Sequence, residues 1–239
     1  MNYILKEIKA ALSLLSIPEK AVFLPKFFKT GKGEYGEGDQ FIGVVVPEQR
    51  KVAKEYFSKI DLGELSELLS SEIHEHRLTA LFMLILKFEK SKDQTVNDEI
   101  VEFYLNHIQY VNNWDLVDTS CYKILGRYAF ENQNENLLRK LTDSENMWHK
   151  RIAVVGTMYY VKNGFFELTK EFVTHNLHHP HDLMHKANGW LLREMGNKNE
   201  TELISFLNQY YKVMPRTCLR YAIEKLDESL RQDYLKGRI

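Results

Sequence analysis

The chain has 239 residues, enough for one large domain or an extended array of repeats. With 44% hydrophobic and 27% charged residues its composition is that of a globular protein, which excludes a disordered or fibrous chain. The formal net charge of −1 argues mildly against a polyanion partner, unless the basic residues converge on one face.

Two further classes are excluded by residue usage. Cys121 and Cys218 lie far apart without metal or redox spacing, which excludes a disulfide framework and fits a reducing compartment. The first twenty residues mix charged and apolar side chains unlike a signal peptide, and no run of about 18 apolar residues occurs. We therefore expect a cytoplasmic protein that does not contact a membrane.

The first distinctive segment in chain order is rich in glycine. Five of the twelve glycines lie between residues 31 and 43, and Gly31–Gly36 formally matches GxGxxG. A dinucleotide site needs this motif between a strand and a helix, and no strand precedes it here. The pattern predicts a flexible loop at about 30–43.

Downstream of this loop, apolar residues recur at intervals of three and four, which predicts helices. The stop signals are Asn163-Gly164, Gly196-Asn197 and Pro215. No convincing strand alternation occurs, so the predicted class is all-α. The clearest predicted helices cover 75–90, 134–143, 147–164 and 182–197.

A repeat is visible within these helices. The same pattern occurs around Arg77, Lys150 and Lys186. In each case a histidine precedes the basic residue, and a small residue follows three positions later. With Asn113 between the first two, the spacings are 36, 37 and 36 residues, and one more step reaches Arg220. A period near 36 is typical of two-helix HEAT-type repeats. We expect one domain over 1–239, built as a right-handed α-α superhelix of HEAT-like repeats.

Aromatic and basic residues share this register. Trp114 and Asp118 are four residues apart and project from one helix face, and Trp190 lies in a later repeat. Such a ridge suits nucleic acid, because cations bind phosphates and aromatic plates stack on bases or sugars. The candidate phosphate-binding residues are Lys150, Arg151, Lys186, Arg193 and Arg220.

Plainer interpretations stay open for the same residues. Trp114 and Trp190 are also explained as core aromatics, the commoner fate of tryptophan in a helical stack. Asp118 is also explained by an ion pair with Lys123 or Arg127, or by a hydrogen bond from a backbone donor. The candidate cations are also explained as solvated surface charges. Trp148 we assign to packing.

No metal or organic cofactor is expected. Histidines crowd residues 175–185, but the segment lacks the further ligands of a recognisable metal site. His74-Glu75-His76 fails the HExxH pattern, because Leu78 occupies the last ligand position.

Three segments together resemble the AlkD-like family of bacterial DNA alkylation repair glycosylases, which are built from HEAT-like repeats. They are "NNWDLVD" (112–118), "NMWHKRIAVV" (146–155) and "HKANGWLLRE" (185–194). Weaker support comes from "FIGVVVPEQRK" (41–51) and from Arg220, and the resemblance covers the chain from about Phe41 onward.

The resemblance implies a function and a set of roles. Family members hydrolyse the N-glycosidic bond of N3- and N7-alkylated purines in double-stranded DNA, and do so without burying a flipped base in a pocket. By this resemblance Asp118 is the catalytic aspartate, Trp114 and Trp190 flank the lesion nucleotide, and Arg151 contacts DNA. No obligatory protein partner is implied.

The sequence also departs from the family. Phe27 stands where the family often has a tyrosine, and residues 30–40 form a longer connection than usual. Asp115 is interpreted as a structural carboxylate near a helix N-terminus. Two alternatives therefore remain beside the glycosylase: a DNA-binding relative without catalysis, and a protein-binding repeat scaffold.

Overall fold

The computed structural model describes residues 3–239, and helices dominate this range. Within it, the isolated parallel bridge between Gln40 and Ile73 is the only β-type pairing. The predicted all-α class is therefore confirmed. Contacts divide the chain into two compact units, Met1–Ser120 and Cys121–Ile239. The prediction of a single domain over 1–239 stays a prediction.

The first unit is organised around one buried helix. α5 packs against α3, α4, α6 and α7, and from Leu78 onward its sequence is apolar on nearly every side, as a central helix requires. A 3-10 turn at Ile108–Tyr110 precedes the last helix of this unit. The helices are α1 (Tyr3–Leu14), α2 (Pro18–Phe27), α3 (Val46–Tyr56), α4 (Leu62–Leu69), α5 (His74–Lys90), α6 (Gln94–Asn106) and α7 (Trp114–Ser120).

The second unit has a corresponding central helix, α13, which packs against α10, α11, α12, α14 and α15. The unit opens with a π-helical segment, Tyr122–Gly126, a deviation from α-helix that frequently occurs at functional sites. Its helices are α8 (Arg127–Glu131), α9 (Asn136–Thr142), α10 (Met147–Gly156), α11 (Met158–Lys162), α12 (Glu167–His175), α13 (Asp182–Lys198), α14 (Glu200–Tyr210), α15 (Arg216–Ala222) and α16 (Glu228–Lys236).

The repeat is visible in side-chain contacts as well as in sequence. Ser71 Oγ lies 3.0 Å from His76 Nδ1 before α5, and Ser144 Oγ lies 3.0 Å from His149 Nδ1 before α10. Each serine oxygen also accepts a hydrogen bond from the backbone N–H two residues later. The two helix starts, 73 residues apart, use the same local contacts.

The small residue of the repeat pattern serves close packing, as expected. A Cβ added at Gly189 in α13 would lie 2.4 Å from the carbonyl oxygen of Cys218 in α15. Only glycine permits that approach. This contact brings two successive helices of the register together in the second unit.

Two predicted helix boundaries differ from the structure. The segment 147–164 is divided at Thr157 into α10 and α11, because the backbone there makes a tighter turn, with Thr157 N–H donating to Val154 O. α13 continues past Gly196 to Lys198, since Gly196 faces Leu203 of α14 and is a packing glycine instead of a stop signal. Among residues 3–239, no helix combines the length and the apolar character that crossing a membrane requires.

Candidate functional site

Trp114 and Asp118 lie one turn apart on α7, both half-buried. The helix begins after Asn113, a fully buried residue whose Oδ1 accepts a hydrogen bond from Trp114 N–H at 2.8 Å. The four-residue spacing places the indole and the carboxylate on one face of the helix. The structure thus puts both residues in one helix, and their roles at a lesion stay a prediction.

Trp114 belongs to a cluster of aromatic rings instead of the deep core. Its ring stacks on Phe28, with centroids 5.3 Å apart and planes inclined by 16°, and it meets the edge of Phe27 at 6.0 Å. Phe28 also stacks on Phe41 at 5.1 Å. Phe28 is buried and Phe27 is exposed, so the cluster runs from the interior of the first unit to its surface.

A network of buried charges lies under this cluster. Asp39 pairs with both His74 Nδ1, at 2.9 Å, and Arg77 Nη2, at 2.5 Å. His74 Nε2 then lies 2.7 Å from Asp115 Oδ2, so the imidazole is held between two carboxylates. Arg77 extends this network, because its Nη1 donates a hydrogen bond to Asn112 Oδ1 at 2.7 Å.

The network keeps His74 protonated. Burial by itself would lower the pKa of His74, but the negative charge of Asp115 and the hydrogen bonds to Asp115 and Asp39 raise it to about 9. The pKa of Asp39 is lowered: burial opposes the shift, and the hydrogen bond from His74 and the charge of Arg77 outweigh it. The charges therefore compensate one another within the interior.

Asp115 has the structural role expected from its position. Besides His74 it accepts a hydrogen bond from the Leu116 N–H at 2.8 Å, which satisfies one of the free donors in the first turn of α7. Its carboxylate thus joins the start of α7 to the start of α5.

A second buried carboxylate shapes the loop before α3. Glu75 Oε1 accepts hydrogen bonds from the N–H groups of Ile42, Gly43 and Val44, at 3.2, 2.7 and 3.2 Å. Gly43 has φ +84°, and a Cβ there would lie 2.2 Å from Ile17 O, so the segment requires glycine. Glu75 therefore fixes the end of the glycine-rich segment. The flexibility of the loop at about 30–43 stays a prediction.

Sequence reasoning missed Asp39, His74 and Glu75. In the sequence, His74 and Glu75 belong only to an incomplete HExxH motif, and Asp39 lies in the predicted loop. The available signal was the cluster of charges at the start of a strongly apolar helix, because charged residues in such a position need partners when buried. Asp39, the partner of His74, lies 35 residues upstream in the glycine-rich loop, so spacing could not identify it.

The first unit contains a pocket of about 370 Å³ beside Trp114. Its walls combine aromatic rings with aliphatic side chains, and the polar groups in them are few. The lining comprises Lys20, Leu24, Phe27, Phe28, Phe41, Val44, Val45, Val46, Gln49, His74, Glu75, Leu78, Trp114, Asp115 and Thr119. No such pocket was expected from the sequence.

Trp190 lies in the middle of α13 in the second unit and is half-buried. Its indole Nε1 donates to Glu194 Oε1 at 3.2 Å, one turn later. Lys186, one turn earlier, pairs with Asp182 at 2.8 Å. Trp190 is therefore not enclosed in the core, whereas Trp148, assigned to packing, is buried.

The predicted phosphate contacts differ in accessibility. Arg151 is only 4% exposed and donates to the carbonyl oxygen of Leu183 near the start of α13, so it joins α10 to α13. Lys150 donates to Thr142 O at 3.1 Å, and Arg193 pairs with Glu224.

Arg220, in α15, is exposed and has no ion-pair partner among the residues that the structure describes. It is therefore the most available of the five candidate cations. The five lie on α10, α13 and α15, and α13 packs against the other two. Their contact with DNA stays a prediction.

The histidine-rich segment 175–185 has structural contacts. His181 Nδ1 accepts from the Leu183 N–H at 3.1 Å and so caps α13, and His185 Nε2 lies 2.6 Å from the carbonyl oxygen of His179. Within the described part of the chain, no group of three or more His, Cys, Asp or Glu residues is arranged to hold a metal ion.

The chain is similar to known proteins in both sequence and fold. A family model described as "DNA alkylation repair enzyme" matches residues 8–226, so the match begins upstream of Phe41. The solved structure of a predicted DNA alkylation repair enzyme from Enterococcus faecalis superposes with a TM-score of 0.71 at 18% identity. The superposition covers 89% of this chain and 97% of the Enterococcus faecalis chain.

No curated protein sequence matches the chain. At 18% identity the solved structure shows a shared fold, while the family model extends over most of the sequence. This match confirms the resemblance first indicated by the segments around Trp114, Arg151 and Trp190. The chain belongs to the DNA alkylation repair enzyme family.

Proposed function

We propose that this protein is a DNA glycosylase that hydrolyses the N-glycosidic bond of N3- and N7-alkylated purines in duplex DNA. The observation that carries the proposal is the pairing of Trp114 and Asp118 on one face of α7, next to an aromatic cluster. Membership of a DNA alkylation repair family supports the substrate class. No metal or organic cofactor is required by this chemistry.

The leaving group explains why one carboxylate suffices. Ordinary glycosidases need a second carboxyl group to protonate a poor leaving group. An N3- or N7-alkylated purine already carries a positive charge and departs as a neutral base when its bond to C1′ breaks. Asp118 then has two tasks: to stabilise the oxocarbenium-like sugar electrostatically and to orient the water that attacks C1′.

Aromatic rings also stabilise the positive charge on the lesion base and on the oxocarbenium-like sugar. The face of an indole ring favours a nearby cation by about 0.5–2 kcal/mol, depending on how much water is excluded. Trp114 is the proposed plate beside the lesion nucleotide, and we propose that Trp190 likewise presents an aromatic face to DNA. Both are half-buried, so each retains exposed ring surface.

Phosphate binding is assigned to the second unit. Arg220 is the most accessible of its candidate cations, whereas Lys186 pairs with Asp182 and Arg193 pairs with Glu224. Arg151 orders the junction of α10 and α13 through Leu183 O, and we propose that its effect on DNA binding includes this positioning.

The catalytic proposal is tested by replacing Asp118 with Asn. This variant keeps the size of the side chain and removes the negative charge, so we expect single-turnover excision of N7-methylguanine to fall by about 10²–10³-fold. Affinity for DNA should be unchanged or slightly higher, because a negative charge near phosphates is removed. Excision is measured by alkaline cleavage at the abasic site formed in duplex DNA with one lesion.

Asp115→Asn is the matched control, since it removes a carboxylate on the same helix that binds His74 and Leu116. We expect it to lower stability more than the rate of excision by the folded protein, with folding checked by circular dichroism. Wild-type excision by folded Asp118→Asn would show that Asp118 is structural. DNA binding without any excision by the wild type would favour the non-catalytic relative.

A further inference from the structure

We propose that Asp39, His74 and Arg77, which we name the supporting cluster, position the start of α7 for the reaction assigned to Trp114 and Asp118. The three side chains act through α7, so they are positioning residues and not catalytic ones. This inference rests on the proposed function and extends it to the glycine-rich loop, which supplies Asp39.

Each member of the supporting cluster makes a polar contact with one residue of the segment 112–115. The contacts join Arg77 Nη1 to Asn112 Oδ1 at 2.7 Å, Asn113 Nδ2 to Asp39 Oδ2 at 3.3 Å, and His74 Nε2 to Asp115 Oδ2 at 2.7 Å. The remaining residue of the segment is Trp114, whose ring stacks on Phe28. The Phe28 ring in turn lies 4.9 Å from the His74 imidazole, centroid to centroid. The entry to α7 is therefore held at four consecutive residues.

The backbone of the glycine-rich loop also packs against the residue that precedes α7. Gly36 is buried, and a Cβ added to it would lie 3.2 Å from Asn113 Nδ2 and 2.5 Å from Phe28 O. A side chain at this position would push the loop away from α7, so the close approach requires glycine. The loop thus meets Asn113 through its backbone at Gly36 and through the carboxylate of Asp39.

A second anchor follows Asp39 directly in the chain. Gln40 N–H donates to Glu72 O at 3.0 Å, and Gln40 O accepts a hydrogen bond from His74 N–H at 2.8 Å. These backbone bonds join the loop to the start of α5. The carboxylate of Asp39 is therefore delivered to the two cations by a short segment that is fixed at Gly36 and at Gln40.

Burial makes these contacts restrictive. The side chains of the supporting cluster are between 2% and 6% exposed, and hydrogen bonds between charged groups strengthen where water is excluded. Moving Asp115 away from His74 would leave a buried cation with one partner fewer, which is costly. The start of α7 is therefore held in one arrangement, and Trp114 and Asp118 project from that helix.

The position of α7 matters because catalysis depends on geometry. A displacement of about 1 Å, caused by a change remote from the chemistry, can slow a reaction by on the order of 100-fold. The carboxylate of Asp118 has to lie beside C1′ and the attacking water, so a shift of α7 lowers the rate more than it lowers affinity for DNA. A role limited to stability would leave the rate of the folded protein unchanged.

The test replaces Asp39 with Asn, which keeps the size of the side chain and removes the charge that holds both cations. Single-turnover excision of N7-methylguanine from duplex DNA is measured as a function of protein concentration. We expect the rate at saturation to fall by roughly 10–100-fold. The concentration that gives half the maximal rate should change by less than about 3-fold, because the phosphate contacts assigned to the second unit are unaffected.

Ile100→Ala is the matched control for a loss of stability. Ile100 is buried on α6 and lies beside Lys87 and Lys90, at the end of α5 opposite His74. Its truncation leaves a cavity and lowers the urea midpoint, and we expect the saturated rate of the folded variant to match that of the wild type. Lys32→Gln is the control for a surface contact of the loop, since Lys32 is exposed, and it should also leave this rate unchanged.

Asn112→Ala is a milder variant that leaves Asp39 paired with both cations and removes only the acceptor of Arg77 Nη1. We expect it to lower the saturated rate by roughly 3–10-fold. It keeps the inference testable where Asp39→Asn does not fold.

Amide hydrogen exchange supplies a measurement that needs no activity. Exchange in α7 is compared with exchange in α3 of the same variant, so that a change in global stability cancels. We expect this ratio to rise by roughly 10-fold in Asp39→Asn and to stay at the wild-type value in Ile100→Ala.

Slower excision and faster exchange of α7 in Asp39→Asn, with wild-type behaviour of both controls, support the positioning role. A saturated rate of Asp39→Asn within about 2-fold of the wild type overturns it and leaves the proposed function standing, as does equal slowing in Ile100→Ala or Lys32→Gln. Wild-type protein that excises no lesion contradicts the glycosylase instead. Hydrogen exchange then decides the inference: a higher ratio only in Asp39→Asn supports it, and equal ratios overturn it.

Discussion

α5 in the first unit and α10 in the second begin with the same contacts and serve different purposes. Ser71 with His76, and Ser144 with His149, form equivalent pairs 73 residues apart in the sequence. Two positions before each histidine the residues differ: His74 begins α5, and Met147 begins α10. The shared contacts define the repeat, and the differing residue defines the local chemistry.

The difference arises from what covers each helix start. In the first unit the glycine-rich loop brings Asp39 onto His74 and Arg77, so that charges at the start of α5 are buried and paired. In the second unit Lys150, the counterpart of Arg77, donates to Thr142 O and remains half-buried. One repeat position thus supports a buried ion network in one unit and a candidate DNA contact in the other.

The largest expected effect comes from removing the carboxylate that the loop supplies. Asp39→Ala leaves the positive charges of His74 and Arg77 buried with fewer partners, and we expect a loss of about 3–5 kcal/mol in the free energy of unfolding. Urea unfolding followed by circular dichroism measures this loss. A loss below about 1 kcal/mol would show that the network does not stabilise the first unit.

Glu48→Gln is the control for Asp39→Ala, since Glu48 belongs to the same unit but pairs with the exposed Lys51. We expect it to change stability by less than about 1 kcal/mol, as exposed ion pairs usually do.

A smaller effect is expected from pH. The folded-state pKa of His74 is about 9, against an ordinary value of 6.5, so its contribution is fully present below pH 6.5 and is lost as pH rises through 9. We expect unfolding free energy to fall by on the order of 1–3 kcal/mol over this range. Urea midpoints at a series of pH values measure it, and His74→Gln should remove this part of the slope.

His76 acts in the opposite direction at acid pH. Burial, with the nearby charge of Lys9, lowers the pKa of His76 to about 4. As pH falls below 6.5, the unfolded chain binds a proton at His76 that the folded protein does not bind, so the free energy of unfolding falls.

The prediction for His74 is contradicted if His74→Gln leaves the slope of stability against pH above 6.5 unchanged, because another group would then cause the alkaline loss.

The smallest effect on stability is expected in the second unit. Arg220→Gln changes an exposed residue and should alter the free energy of unfolding by less than about 0.5 kcal/mol. If Arg220 contacts a phosphate, the slope of log affinity for duplex DNA against log salt concentration falls by about one unit. An unchanged slope in single neutralisations of Lys150, Arg151, Lys186, Arg193 and Arg220 would remove this surface from the proposed function.

The sequence by itself determined the class of the fold and the order of its repeats. Apolar residues at helical spacing predict α5 and α13, and the small residue at Gly189 predicts a close contact between helices. These features are local or periodic, so they can be recognised from the sequence alone. The segments around Trp114 and Trp190 also indicated the family that the family model shows.

Only the tertiary structure decided which charges are buried and where the pocket lies. Asp39 meets His74 from 35 residues away, and Gln49 lines a cavity together with Trp114 from 65 residues away. Arg151, which looked like a surface cation, is buried against α13. Burial depends on which helices and loops pack together, and that packing brings together residues whose separation follows no period in the sequence.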